Sequence, residues 1–143
     1  MRSEARSFAR VSLVAAVLLT AGCLSILGGE QWERVPGSID VESVLQGSLA
    51  VPAEATVGVP FQITVTTYGS SSCTRPGDTE TGGEGLVAVV RPFDWSRTGD
   101  AVCTADLRAY SRTVALRFDE AGEATVRLIG QEGQVERTVQ VRP

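Results

Sequence analysis

The sequence predicts an all-β protein, an antiparallel sandwich of about seven strands, carried behind an N-terminal signal-peptide helix. Three observations point there. From Val35 onward, apolar and polar residues alternate with period two in segment after segment; turn residues separate those segments; and no stretch of that region carries a helical period.

Taken in order, "GSIDVESVLQGSLAVP" (37–52) reads as two short edge strands split near Gly47, with Pro52 and Pro60 marking strand starts and edges. "PFQITVTTY" turns Phe61, Ile63 and Val65 to one face and Gln62, Thr64 and Thr66 to the other. "GSSSCTRPGDTETGGEG" (69–85) has the composition of a disordered loop. "GLVAVVRP" is apolar on both faces, as suits a central strand. "TVALRF" puts Val114, Leu116 and Phe118 inward, and "EATVRLIG" does the same with Ala124, Val126 and Leu128. "RTVQVRP" closes the chain with Val139 and Val141; Arg137 shares their parity, which suggests a strand end or bulge there. Gly122 supplies a positive-φ turn position, and "QEG" (131–133) reads as a three-residue hairpin loop with Gly133 left-handed.

The first 22 residues are of another kind. Arg2, Arg6 and Arg10 precede the uncharged run "VSLVAAVLLTAG" (11–22), which is shorter than the ~20 apolar residues a bilayer span requires. A charged region, a short apolar region and small residues before a cut make a secretory leader. Its end, "LTAGC" (19–23), resembles the lipobox of bacterial lipoproteins, with Ala21 and Gly22 before the cysteine and Thr20 where that family prefers Leu. The resemblance implies that the Cys23 thiol receives a diacylglycerol and that cleavage leaves it as the lipid-bearing, fatty-acylated N-terminus. Residues 1–22 are then the leader, 23–34 the lipidated cysteine and a tether, and 35–143 the folded domain. With Leu24 after the cysteine, a Gram-negative host would pass the protein to its outer membrane.

With Cys23 lipidated, Cys73 and Cys103 remain as a pair in an oxidising compartment, where a disulfide is expected. Their bridge closes a loop of roughly 30 residues, worth about 3.5 to 4 kcal/mol on the chain-entropy model.

Composition narrows the function. Removing Arg2, Arg6, Arg10 and Glu4 from 13 basic and 17 acidic residues leaves 10 and 16, a net charge near −6. That disfavours nucleic acid, whose binding rests on cations against phosphate, and a polybasic membrane patch; membrane contact comes through the lipid. His and Lys are both absent, so there is no Ser–His–Asp or Cys–His arrangement, no imidazole metal site and no Schiff-base lysine. No cofactor, metal site or catalytic residue is expected. Asp94, Asp100 and Asp106 fall in one predicted connection and Asp78, Glu80 and Glu84 in another, at spacings that match no calcium-loop signature.

The run "VPAEATVGVPFQITVTTYG" resembles the first two strands of immunoglobulin-like modules in bacterial envelope proteins, and the 48–130 stretch is similar to uncharacterised lipoproteins of high-GC bacteria. The resemblance implies an immunoglobulin-like sandwich and no activity. On that plan the strands at 61 and 114 share one sheet and those at 87, 126 and 139 the other. The 86–91 strand descends from the disulfide end, and residues 93–102 climb back so that Cys103 can reach Cys73. "RPFDW" (91–95) then lies at the end away from the disulfide, with Phe93, Asp94 and Trp95 as the candidate partner-binding residues; the alternative, which is favoured, is that Phe93 and Trp95 are a buried pair closing the bottom of the core. A non-catalytic binding or scaffolding module acting on an envelope protein partner is the first reading. A protease inhibitor at the envelope is the alternative, because secreted inhibitors also insert the end loops of such sandwiches into a cleft; a carboxylate glycosidase has too little room here.

Overall fold

Side-chain alternation becomes two facing sheets in a computed structural model that describes residues 29–45 and 47–143. The leader, its predicted helix and Cys23 lie outside the described residues. The strands are β1 (Trp32–Pro36), β2 (Leu49–Ala50), β3 (Glu54–Thr56), β4 (Phe61–Gly69), β5 (Thr74–Glu84), β6 (Val87–Arg97), β7 (Arg108–Leu116), β8 (Gly122–Ile129) and β9 (Gln134–Arg142). One sheet runs β2–β4–β7. The other runs β5–β6–β8–β9–β3, with β1 beside the second half of β6, beyond the end of β8. The protein is an all-β, two-sheet sandwich, with the 61 and 114 strands in one sheet and the 87, 126 and 139 strands in the other.

The core is the predicted set of inward rows. Ile63 and Val65 from one sheet meet Val90, Val126, Leu128, Val139 and Val141 from the other, all at most 1% exposed. Burying each such side chain contributes about 1.5 to 3 kcal/mol. Phe118, buried, stacks on Phe61 with ring centroids 5.8 Å apart.

The structure corrects the path between the cysteines. Residues 74–84 are a strand, not a loop: β5 descends from the disulfide end, turns through Gly85 (φ +58) and Leu86, and pairs along β6 as that strand climbs back. Gly83 makes a close approach at this hairpin, where a Cβ would stand 2.0 Å from the Val87 carbonyl oxygen. "TRPGDTETGGE" holds no apolar residue to betray a strand; it is an edge, bonded on one side only, and most of its side chains face water. Because β6 rises rather than descends, it lies parallel to β8; β3 also lies parallel to β9, and their sheet is mixed rather than purely antiparallel.

Other boundaries move for similar reasons. Strand β1 starts at Trp32, inside the segment read as tether. Of the two edge strands expected in 37–52, only the two-residue β2 forms. Residues 37–39 instead cross between the sheets, with the Gly37 N–H on Pro92 O (2.9 Å) and the Tyr68 N–H on Ser38 O (3.0 Å). Gly122 and Gly133 do take positive φ (+146° and +147°), but the last hairpin loop spans four residues, 130–133, closed by Gly130 N–H on Gly133 O at 2.9 Å. Arg137 sits at no bulge or strand end; it pairs in regular register with Val126 and stays exposed.

Candidate functional site: an aromatic and arginine face over a buried ion pair

Strand parity sorts the "RPFDW" segment between two environments. On β6, Pro92 and Asp94 point between the sheets, and Phe93 and Trp95 point outward. The register of β1 and β5 on either side brings Trp32, Arg34 and Arg75 to the same outer face, with Arg34 and Arg75 both opposite Trp95. This face lies at the disulfide end, not opposite it: Ser96, next to Trp95, pairs with Thr74, and the Arg97 N–H bonds Cys73 O at 3.0 Å.

The guanidinium groups lie on the rings. The Arg34 guanidinium is 3.3 Å from the Phe93 ring centroid, and that of Arg75 is 3.8 Å from Trp32. Arg34 also donates to Asp78 Oδ1 (2.9 Å) and Oδ2 (2.8 Å) and to Glu80 Oε1 (2.7 Å). That fork of hydrogen bonds holds the Asp78 carboxyl below the usual range of an aspartate. Glu30 pairs with Arg97 (3.2 Å) and Arg75 (3.5 Å). Trp95, 39% exposed, is left as the uncovered ring in this charged frame. Such a face can stack on an apolar or planar group and donate hydrogen bonds at its rim.

Beneath it lies a polar layer the sequence reading missed. Asp94, only 2% exposed, pairs with Arg112, which comes from β7 in the opposite sheet. Arg112 also donates to Phe93 O (2.8 Å), Gly77 O (3.0 Å), Asp78 O (3.3 Å) and Thr67 Oγ1 (2.7 Å). The two carbonyls from β5 fall in its Pro76–Thr79 bulge, where the strand loses register with β6. Asp94 therefore serves the interior and offers a partner nothing. Only parity hinted at this, since Asp94 and Arg112 occupy inward positions in strands with apolar neighbours.

Expected effects on stability follow from this division. Trp95→Ala should change unfolding free energy by less than about 1 kcal/mol, as a surface substitution does. Phe93→Ala, which removes the half-buried ring under Arg34, should cost more. Chemical denaturation of the two variants checks the order.

Cys73 and Cys103 are joined, with Cα atoms 5.5 Å apart and a separation of 30 positions in sequence. Around the bridge, the serines of "GSSSC" hold the 98–107 loop. Thr104 Oγ1 meets the hydroxyls of Ser70 (2.9 Å), Ser71 (3.2 Å) and Ser72 (3.2 Å), while the Ser71 N–H donates to Asp106 at 3.1 Å. Hydrogen bonds from Thr104, then from Ser71, lower the Asp106 carboxyl to about 2. Its unfolded value is ~3.9, so what it contributes to holding the loop is complete above about pH 4 and lost as pH falls through about 2. A carboxyl NMR titration should put the Asp106 midpoint near 2. Of the carboxylates grouped by sequence, Asp94 is inside the sandwich, Asp78 and Glu80 are taken by Arg34, and no group of three metal-ligating side chains gathers among the described residues.

No family model, curated protein or solved structure matches the chain.

Proposed function

We propose that this protein is an exported, lipid-anchored sandwich module that acts at the cell envelope by binding or scaffolding rather than by catalysis. The observation that carries the reading is the cysteine arithmetic: Cys73 and Cys103 are bridged to each other, which leaves Cys23, behind the lipobox-like "LTAGC", as the one cysteine outside that bridge. A structural disulfide fits an oxidising compartment, and an unpaired cysteine directly after a leader fits acylation. The binding reading is supported by Trp95, an exposed ring in a frame of arginines; aromatic and arginine side chains carry most hot-spot energy at interfaces. The anchor would hold this face near the membrane, because strand β1 begins nine residues after Cys23, a reach of at most ~30 Å.

Fractionation of cells expressing the full chain tests the anchor. The wild type should partition into detergent with the membranes, and Cys23→Ala should move to the soluble exported fraction. Trp95→Ala tests the face: it should keep its melting point and lose co-purifying envelope protein. Inhibition of a panel of cysteine and serine proteases would instead favour the inhibitor reading.

A further inference from the structure

On the side of the sandwich where β5 and β7 close their sheets, two strand edges face each other without pairing. Among the described residues, strand β5 bonds only to β6 and β7 only to β4, and no backbone hydrogen bond joins β5 to β7. In the upper half, side chains bridge the seam. Tyr110 Oη reaches Thr74 O (3.1 Å) and Ser70 O (3.3 Å), and Arg112 reaches the carbonyls of the β5 bulge. Below Thr79 the bridging stops. Two adjoining hollows of about 430 and 380 Å³ open there, sharing Thr81 and Ala115 in their walls.

Edge strands are ordinarily protected by proline, bulges, inward charges or a covering loop. Here Pro76 and the bulge protect only the top of β5, and Arg112 only the top of β7. The lower stretches, 79–84 and 113–116, carry no proline and no bulge; their only charges are Glu80, which Arg34 holds, and Glu84. Polar atoms at the groove are also left over: Thr79 Oγ1 and Arg112 Nε are buried and have no hydrogen-bond partner among the described residues.

We infer that this groove is a site for strand addition, taking an extended segment of a partner protein with small or β-branched side chains and a basic residue at its N-terminal end. The inference deepens the binding-module reading and rests on it, but not on the lipid. Three features define the occupant. Backbone edges on both walls call for an extended chain that supplies N–H and C=O groups to each. Both β5 and β7 descend from the disulfide end, so one inserted strand can lie antiparallel to both, the better-bonded arrangement. It would then enter with its N-terminus at the lower end, where Glu84 and Glu120 line the groove and have no ion-pair partner among the described residues. The Arg117 that shares this rim is held by Asp119 at 3.0 Å.

The test uses the full chain in detergent and a labelled, acetylated hexapeptide, Arg-Val-Thr-Val-Thr-Val, read by fluorescence anisotropy. Saturable binding tighter than about 1 mM is expected. N-methylation of alternate backbone nitrogens in the peptide should weaken it roughly tenfold or more, since each lost hydrogen bond costs a factor of several. Thr81→Trp, which fills the groove from an exposed position, should weaken binding to a similar degree with the melting point kept. Should that variant fold poorly, Glu84→Arg with Glu120→Arg gives the second arm, with preference shifting from the Arg-ended peptide to one that begins with Glu. Absent binding, equal binding of the N-methylated peptide, or unchanged binding by both variants would overturn the proposal. So would a dimer in sedimentation that Thr81→Trp abolishes, because the occupant would then be a second copy. Partner capture that depends on Trp95 and ignores groove substitutions would keep the module a binder and remove this site.

Discussion

Replacing Arg112 by Ala should destabilise the domain by about 3 to 5 kcal/mol, the usual result of stranding one member of a buried ion pair. That is a melting-point loss of roughly 10 to 20 °C for a domain of this size. The reason is the number of groups one guanidinium serves. Without it, the Asp94 carboxylate sits between the sheets with no counter-ion, and Phe93 O, Gly77 O and Thr67 Oγ1 lose their donor. Arg112 also ties β7 of one sheet to β5 and β6 of the other, beside the Tyr110 hydroxyl on Thr74 O, so the upper seam should loosen with its loss. Asp94→Leu combined with Arg112→Met should recover much of the loss, since apolar replacements remove the stranded charge. A double-mutant cycle by denaturant unfolding measures the coupling, which should exceed about 1 kcal/mol for groups in direct contact. Additive effects would mean that the pair does not act as a unit.

Loss of the disulfide comes second. Cys73→Ser with Cys103→Ser should cost about 2 to 4 kcal/mol, because the bridge spans 30 residues and its removal frees the unfolded chain. The native-state consequence should be local. Most of the bridged segment is β5 and β6, paired over nearly their whole length, whereas the 98–107 loop is held by the bridge and the Ser70–Ser72, Thr104 and Asp106 cluster. Hydrogen exchange should therefore rise in 98–107 and stay low in β6. Val102 and Leu107, already 91% and 64% exposed, add no apolar burial to hold that loop in place.

What could be read from the chain and what could not divides along one physical line. Strands that bury a face announce it: Ile63 and Val65, Ala124 to Leu128, and Val139 with Val141 alternate because one side of each strand leaves water. Strand β5 buries almost nothing, so its sequence carries hydrogen-bonding capacity and no hydrophobic period, and it reads as a loop. That single omission reversed the direction of β6 and put Phe93 and Trp95 at the wrong end. The outer face was half legible: an unexplained aromatic pair in "PFDW" marked it, but Trp32, Arg34 and Arg75 join it only through β1 and β5 pairing. The Asp94–Arg112 pair was hidden because a charge at an inward position looks, from one sequence, like a loop charge. Cysteine parity, by contrast, needs no geometry, and Cys73–Cys103 could be read directly.

Export of the module and its proposed anchoring by a lipid on Cys23 can be read together by intact-mass and non-reducing peptide mass spectrometry of the full protein taken from its native membrane. The expected result is an N-terminus at Cys23 bearing a diacylglycerol, with Cys73 and Cys103 found in one cross-linked peptide pair. An intact leader, or an unmodified Cys23, would contradict it.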